Sequence, residues 1–366
     1  MKVIIAAAGT GGHINPGIAI ANKIEKENNG SDIRFIATGK KLEEDLISKA
    51  GYKSYKINAY GFSKQISINN FKRIIKTLKG FKEAEKILEE FKPDIVIGTG
   101  GYICGAVISA AKKLNIPTLL HESNAYPGLA IRMLQKKTDT ILVGIEAAKK
   151  NLKKSKRVVY TGNPTKTMPI ELTKAKITSI YKEHKLNNKL PIVLVFGGSQ
   201  GAKRINDTMI NLINDSLNEN YQIIWATGQG QYDDIMKQID KKKIKNASIV
   251  PYIYNMAEVL SISSLVVARS GAMTLTELAL FGKPAIFVPL PSSSSNRQED
   301  NARVFENNGA AKIILNNNLN EDNLNNEIKN IILNKLMLEK MGKSAKKMAV
   351  YDVEERIYKE IEKLVR

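Results

Sequence analysis

The 366-residue chain has one cysteine, Cys104, one tryptophan and three histidines. A lone cysteine cannot close an internal disulfide and offers no pair for a zinc knuckle, so a reducing compartment is the expected home. No apolar run approaches the roughly 18 residues of a membrane span, so the chain is expected not to cross a bilayer. The apolar stretch after Met1-Lys2 breaks at Gly9, too soon for a signal h-region and without a cleavage context, and reads as a buried strand. No Gly-Lys-Ser/Thr closes a P-loop, and Ile14 stands where a dinucleotide fingerprint beginning at Gly9 would need its third glycine. A P-loop ATPase and a nicotinamide enzyme are thereby disfavoured. There is neither an Asp-x-Asp after a strand nor a His/Cys cluster, so no metal site is expected.

What is present is a large apolar fraction, 43%, enough at this length to bury two cores. The net charge of +20 and pI near 9.6 would suit nucleic acid, anionic lipid or a phosphorylated substrate. Lys, Asn and Ile are abundant everywhere, as in "NNNLNEDNLNNEIKNIILNK", so the total charge can equally reflect compositional bias, and only its placement informs. A nucleic-acid binder would add aromatic stacking motifs, which are missing, and the basic residues are scattered.

Short apolar runs alternate with amphipathic helical patterns. "KVIIAAAG", "IRFIATG", "PDIVIGTGG", "PTLLHES" and "TILVG" are strand candidates in the first half. "PIVLVFGGSQG", "YQIIWATG", "ASIVPYI", "SLVVARSG" and "PAIFVPLP" are the candidates in the second. The period is that of βα units around buried parallel sheets. The restart after "VVYTGNPT" makes Gly162-Asn163-Pro164 the expected join. A last helix, with Val353, Ile357, Ile361 and Leu364 on one stripe, must dock on one of the two domains.

Three junctions are built alike, namely Gly9-Thr10-Gly11-Gly12-His13, Gly98-Thr99-Gly100-Gly101-Tyr102 and Gly197-Gly198-Ser199-Gln200-Gly201. Each follows an apolar run, and in the first the helical pattern is expected to begin beyond Pro16. Glycines there let backbone N–H groups and a helix N-terminus approach an anion, so phosphate is the expected ligand, although each loop alone could be a mere tight turn.

"GTGGHINPGIAIA", "GTGGYICGAV", "LLHESN", "GNP", "FGGSQGAKRIN", "ARSGAMTLTELALFGKPAIFVPLP" and "NRQEDNA", in this order, closely resemble the bacterial MurG family over essentially the whole chain. The resemblance implies a GT-B fold, two Rossmann-like α/β domains with parallel sheets facing a cleft. The first would be 1–162 plus 352–366, binding the acceptor and associating with the membrane, and the second 163–351, binding the donor. It also implies an inverting transfer of N-acetylglucosamine from UDP-N-acetylglucosamine to the 4-hydroxyl of the muramoyl sugar of lipid I, giving lipid II. No cofactor would be required. The expected address is the cytoplasmic face of the cell membrane, with other wall-synthesis proteins as candidate partners and no nucleic acid. A diacylglycerol glycosyltransferase and a UDP-N-acetylglucosamine 2-epimerase remain the alternatives.

Carried over residue by residue, the resemblance places the donor on Ser199, Ile253, Ala272, Met273, Thr274, Glu277 and Gln298. Asn124, Lys166, Thr10, Gly11 and Gly12 join them. Glu277 would accept from the ribose hydroxyls, a pair that a carboxylate binds well, whereas alone it would read as a solvated helix residue. The acceptor pyrophosphate would lie on Gly11, Gly12, His13, Gly100, Gly101 and Tyr102. His13 is the candidate base, because imidazole titrates near neutrality; its plain alternative is a turn histidine bonded to backbone. Glu122 could accept a proton or orient His121, and a structural pairing fits as well. Two departures stand out: Lys166 where the family often has arginine, which trades a planar fork for a point charge, and Ser123 within "HESN".

Residues 62 to 86 place Phe71, Ile74, Ile75, Leu78 and Phe81 at helical spacing among Lys72, Arg73, Lys76, Lys79 and Lys82. Such a basic amphipathic stretch can lie on an anionic bilayer, at about 1 kcal/mol per cation, or can face a core with a solvated rim.

Overall fold

The computed structural model describes residues 1–58, 68–291 and 296–365, and of 68–78 the backbone alone. It divides into two compact units, Met1–Lys166 with Val350–Arg366, and Thr167–Ala349.

The first unit holds strands β1 (Lys2–Ala7), β2 (Asp32–Ala37), β3 (Lys53–Lys56), β4 (Ile95–Gly100), β5 (Thr118–Glu122), β6 (Thr140–Val143) and β7 (Val158–Tyr160). They form one parallel sheet in the order β3-β2-β1-β4-β5-β6-β7. Helices α1 (Gly11–Glu27), α2 (Lys41–Lys49), α3 (Ile68–Phe91), α4 (Ile103–Lys113) and α5 (Leu129–Leu134) connect them. Strand β1 shows why its sequence is apolar without a break. Val3, Ile5 and Ala7 point into one core with residues of α1, and Ile4, Ala6 and Ala8 into another with residues of α4. A strand covered on both faces has no solvent side, and each fully buried isoleucine contributes about 1.5–3 kcal/mol.

The second unit repeats the plan with β8 (Ile192–Phe196), β9 (Gln222–Ala226), β10 (Ala247–Val250), β11 (Leu265–Ala268), β12 (Ala285–Phe287) and β13 (Ala311–Ile313), ordered β10-β9-β8-β11-β12-β13 and parallel throughout. Its helices are α6 (Lys174–Glu183), α7 (Lys203–Asn214), α8 (Tyr232–Gln238), α9 (Met256–Ile262), α10 (Ala272–Phe281), α11 (Arg297–Asn307), α12 (Glu321–Ile332) and α13 (Lys335–Lys347).

The C-terminal helix α14 (Val353–Val365) belongs to the first unit. Its stripe, Val353, Ile357 and Ile361, is buried in the core shared with α1, and Leu364 packs at the edge. Lys23 on α1 pairs with Glu355, and Arg157 grips Glu360 through two bonds of 3.0 and 3.1 Å. The amphipathic pattern thus finds its partner at the opposite end of the chain.

Two expectations need correction. Helix α1 begins at Gly11, not beyond Pro16, so Gly11, Gly12 and His13 are its first turn and Pro16 lies inside it. A proline there removes one N–H, and the carbonyl left without a helical partner is that of Gly12, an exposed residue that water can satisfy. The second concerns the amphipathic stretch. It is helical, within α3, but the side chains of Phe71, Lys72, Arg73, Ile74, Ile75, Lys76 and Leu78 lie outside the described residues. Phe81 is described, and it packs on the first unit's core with Lys113 Nζ 5.9 Å from its ring centre, so this end of the stripe faces inward. Among the described residues no helix is long and apolar enough to cross a membrane.

Candidate functional site

In each sheet the chain runs outward from one strand and then resumes on that strand's other side, so the order reverses between β1 and β4 and between β8 and β11. Loops that diverge at such a point leave a crevice at the carboxyl ends of the strands. The loops there are the glycine-rich ones: Gly9–Thr10 and Gly100–Tyr102 in the first unit, Gly197–Ala202 and Arg269–Gly271 in the second. All four helices that follow, α1, α4, α7 and α10, start without a side-chain cap. Their first-turn amides keep the partial positive charge that an anion can meet.

At the β1 end, His13 Nδ1 lies 2.9 Å from Ala8 O. A carbonyl only accepts, so Nδ1 carries the proton, and Nε2 of the neutral ring is a lone pair. Thr99 Oγ1 donates to His13 O at 2.7 Å and ties β4 to the same turn. Gly100 lies so close that a methyl group there would overlap the imidazole, and its φ of +130° suits glycine. At Gly101, with φ of +87°, a methyl carbon would stand 2.5 Å from Ala8 O. Glycine at 100 thus leaves the space that the ring occupies, and glycine at 101 leaves room for the carbonyl that the ring is bonded to. His13 is thus a turn histidine bonded to backbone, and that bond leaves the opposite nitrogen, Nε2, as the lone pair of the neutral ring.

Glu122 is buried at the end of β5 and its oxygens accept from Asn124 N at 2.9 Å, Asn124 Nδ2 at 3.0 Å and Gly128 N at 2.7 Å. It shapes the 124–128 loop and presents Asn124; it does not orient His121, which is bound elsewhere. Neighbours on a strand point to opposite faces, which separates the two. His121 Nε2 lies 3.3 Å from Gly162 O, and Asn163 Nδ2 donates to Ser123 O at 3.1 Å, so the Gly162-Asn163-Pro164 turn is stitched to this strand end.

His121 is 1% exposed, and burial pushes its pKa down to about 4. The sign is that of a histidine kept neutral in the fold: above about pH 6.5 both folded and unfolded forms are neutral, and below it only the unfolded chain takes up a proton. Stability is therefore expected to fall by on the order of 3 kcal/mol as pH drops from about 6.5 to about 4. Urea titrations of the protein and of His121→Gln at both pH values check this. An equal pH slope in the two proteins would show that His121 is not the source.

In the second unit Ser199 is exposed at the tip of the loop after β8, where Gly201 N donates to Gly198 O at 2.9 Å. Behind it is a network that the sequence did not announce. Asn206 Nδ2 donates to Thr227 O at 2.8 Å and to Gln231 Oε1 at 2.9 Å, Trp225 Nε1 donates to Asn206 Oδ1 at 3.1 Å, and Gln231 Nε2 donates to Gln200 O at 2.9 Å. These bonds pin the loop to β9. Arg269 was also missed: its Nη1 donates to Val288 O, Pro289 O and Asn316 Oδ1 at 2.9, 3.1 and 2.9 Å, which joins the ends of β11 and β12.

Ala272, Met273 and Thr274 form the first turn of α10, and Glu277, half-buried, lies on its second. Gln298 Oε1 accepts from Leu290 N at 2.9 Å, so what this residue can offer a ligand is its NH2 donor. Ile253 is buried between exposed Tyr252 and Tyr254, whose rings meet edge-on at 5.0 Å. Lys166 is exposed and ends the first unit. Among the described residues no three His, Cys, Asp or Glu side chains gather in a way that could hold a metal ion.

Residues 3–143 match the glycosyltransferase family 28 N-terminal domain and residues 192–357 its C-terminal domain. The chain is 40% identical over 367 residues to the UDP-N-acetylglucosamine--N-acetylmuramyl-(pentapeptide) pyrophosphoryl-undecaprenol N-acetylglucosamine transferase of Acetivibrio thermocellus, covering 100% of this chain and 99% of that one. The chain belongs to the MurG family.

The transferase of the same name from Ruminiclostridium cellulolyticum is also 40% identical, with both chains covered in full. The crystal structure of Acinetobacter baumannii MurG superposes with a TM-score of 0.77 at 27% identity, covering 99% of each chain. A UDP-GlcNAc 2-epimerase from Neisseria meningitidis aligns with a TM-score of 0.68 at 18% identity, covering 99% of this chain and 100% of that one; this shows a shared fold alone. Both units are the Rossmann-like parallel domains of MurG, and the protein is a glycosyltransferase. The epimerase and diacylglycerol alternatives are not favoured.

Proposed function

We propose that the protein moves N-acetylglucosamine from UDP-N-acetylglucosamine to the 4-hydroxyl of the muramoyl sugar of lipid I, with inversion, giving lipid II for peptidoglycan synthesis. The observation that carries this reading is the arrangement at the end of β1. An imidazole whose Nδ1 lies 2.9 Å from Ala8 O, which leaves Nε2 as the lone pair of its neutral form, lies in the uncapped, glycine-rich first turn of a helix at the point where the strand order reverses.

In this reading the acceptor's pyrophosphate meets the amides of Gly11 and Gly12 and the turn at Gly100, Gly101 and Tyr102. His13 Nε2 takes the proton of the attacking hydroxyl. The oxygen bonds to the sugar's anomeric carbon, the bond to UDP breaks, and its electron pair leaves on the diphosphate oxygen. Ser199 and the first turns of α7 and α10 hold that diphosphate, with Ala272, Met273 and Thr274 as donors. Glu277 accepts from the ribose hydroxyls, the backbone at Ile253 reads the uracil edge, and Gln298 with Asn124 bonds the sugar. Thr10, Gly11 and Gly12 complete the donor side, and Lys166 supplies a point charge.

The test offers lipid I analogue and diacylglycerol together with labelled UDP-N-acetylglucosamine. Label is expected in lipid II alone; label in diacylglycerol, or an epimerised donor, overturns the reading. Because backbone donors carry the leaving group, EDTA is expected to leave most activity intact. Abolition reversed by a divalent cation would contradict that.

The acceptor is a membrane lipid, which places the enzyme at the cytoplasmic face of the cell membrane as a peripheral protein. The cationic stretch at Lys72, Arg73 and Lys76 supports this. Binding to anionic vesicles is expected to weaken with salt, and its absence at every ionic strength would argue against a membrane face.

A further inference from the structure

Glu43 stands outside every role given above. It lies in the first turn of α2, within the charged run Lys-Lys-Leu-Glu-Glu-Asp, yet it is 0% exposed. Its Oε1 accepts from Gly9 N at 2.8 Å, and its Oε2 accepts from Thr38 N at 2.8 Å and from Thr38 Oγ1 at 2.7 Å. A buried carboxylate needs such donors, and these three suit the anion.

The Gly9 N–H and the Ala8 C=O are the two ends of a single peptide group. Glu43 holds the N–H, and His13 Nδ1 donates to the C=O at 2.9 Å. Carboxylate, peptide and imidazole therefore form one continuous hydrogen-bonded chain. We propose that Glu43 is a positioning residue for His13, acting through the Ala8–Gly9 peptide to fix the ring's orientation and keep its proton on Nδ1. The proposal rests on the reading of His13 as the base and extends it to the group that prepares the base.

Two physical arguments support it. A negative charge at the N–H end of a peptide polarises the whole unit, making its carbonyl a stronger acceptor for Nδ1–H, because hydrogen bonds in series reinforce one another. The second argument is exclusion. Gly9 has φ of +103°, a region that glycine enters freely, so this peptide has the latitude to turn over. Turned over, it would point its oxygen at Glu43 and its N–H at the imidazole. Nδ1 would then be the lone pair and Nε2 the proton carrier, which cannot take a proton from a hydroxyl. A carboxylate accepts only and repels a carbonyl oxygen, so Glu43 excludes that arrangement. Thr38, held by the other oxygen, keeps the carboxylate from rotating away.

The decisive readout is the tautomer, which a merely structural tie between two loops would leave alone. The full-length protein, labelled with 15N-histidine, has only three histidines, and His13→Gln assigns the one that matters. In the unaltered protein, neutral His13 is expected to show a protonated Nδ1 and an imine-like Nε2. In Glu43→Gln, whose side chain brings an NH2 donor to a site that offers only donors, the pattern is expected to move toward the Nε2–H form. With it kcat falls on the order of tenfold, part of the 10²–10⁴-fold worth of a general base, while KM for UDP-N-acetylglucosamine stays within about twofold. Glu43→Asp keeps the charge and is expected to retain the Nδ1–H form; it carries the test if Glu43→Gln fails to fold, and an Nε2–H pattern in it then overturns the proposal. An unchanged tautomer in folded Glu43→Gln overturns it as well. If the tautomer moves but His13→Gln keeps full turnover, the chain from Glu43 to His13 stands and the reading of His13 as base falls.

Discussion

Replacing His13 with alanine is expected to lower kcat by about 10²–10⁴-fold, the usual worth of a positioned general base, with the fold and donor affinity retained. The size of the effect follows from the geometry. The bond from Nδ1 to Ala8 O leaves Nε2 of the neutral ring with its lone pair, and the ring lies in space that only a glycine at position 100 leaves open. No other histidine can take over: His121 is buried at the end of β5 with its Nε2 on Gly162 O, and His184 is buried in the second unit with its Nδ1 2.8 Å from Ser248 Oγ. Circular dichroism checks the fold of His13→Ala, calorimetry with UDP checks the donor site, and single-turnover assays give the rate. Near-normal turnover in a folded variant would leave His13 as a turn histidine and nothing more.

The second large effect is expected at Glu277. In the proposed donor site Glu277 accepts from the ribose hydroxyls, and because a hydrogen bond to a charged group is worth about 1.5–3 kcal/mol, its loss would weaken UDP binding on the order of 10- to 150-fold. Glu277→Ala is expected to raise the Kd for UDP by that factor and the KM for the donor with it, and to discriminate less against 2′-deoxy-UDP. Glu277 sits on the second turn of α10, away from the helix's N-terminal amides, so the diphosphate contacts should survive. Equal affinity of Glu277→Ala and the unaltered protein for UDP would remove Glu277 from the donor site.

These two residues also show what a sequence can reveal. The ten strands expected from apolar runs all form; most are buried on both faces and so must be apolar throughout, while β10 is a half-buried edge strand. The three strands without a sequence signal, β3, β7 and β13, are all at sheet edges. Lys53–Lys56 is largely exposed, while Val158–Tyr160 and Ala311–Ile313 are three residues each, too short to show a period. Helix α1 was expected to start too late because Pro16 looks like a boundary; in fact it is a tolerated interruption beside an exposed carbonyl.

The same divide runs through the site. The loops proposed to hold phosphate are runs of near-contiguous glycines, so they can be read along the chain. Side chains that arrange those loops come from afar: Glu43 meets Gly9 across 34 positions, and Arg269 meets Asn316 across 47. Nothing local marks such residues, since burial alone turns a helix glutamate into a clamp. Glu122 was visible, but its work on the 124–128 loop became clear only when its three donors were in place.

The most direct test of the central claim is one incubation of the purified protein with UDP-N-acetylglucosamine and a short-chain lipid I analogue, with the product's new glycosidic bond read by its anomeric proton coupling. The account predicts lipid II with a β linkage, formed by one displacement on an α-linked donor and lost in His13→Ala. Absence of transfer, or an α linkage that requires two successive displacements, would contradict it.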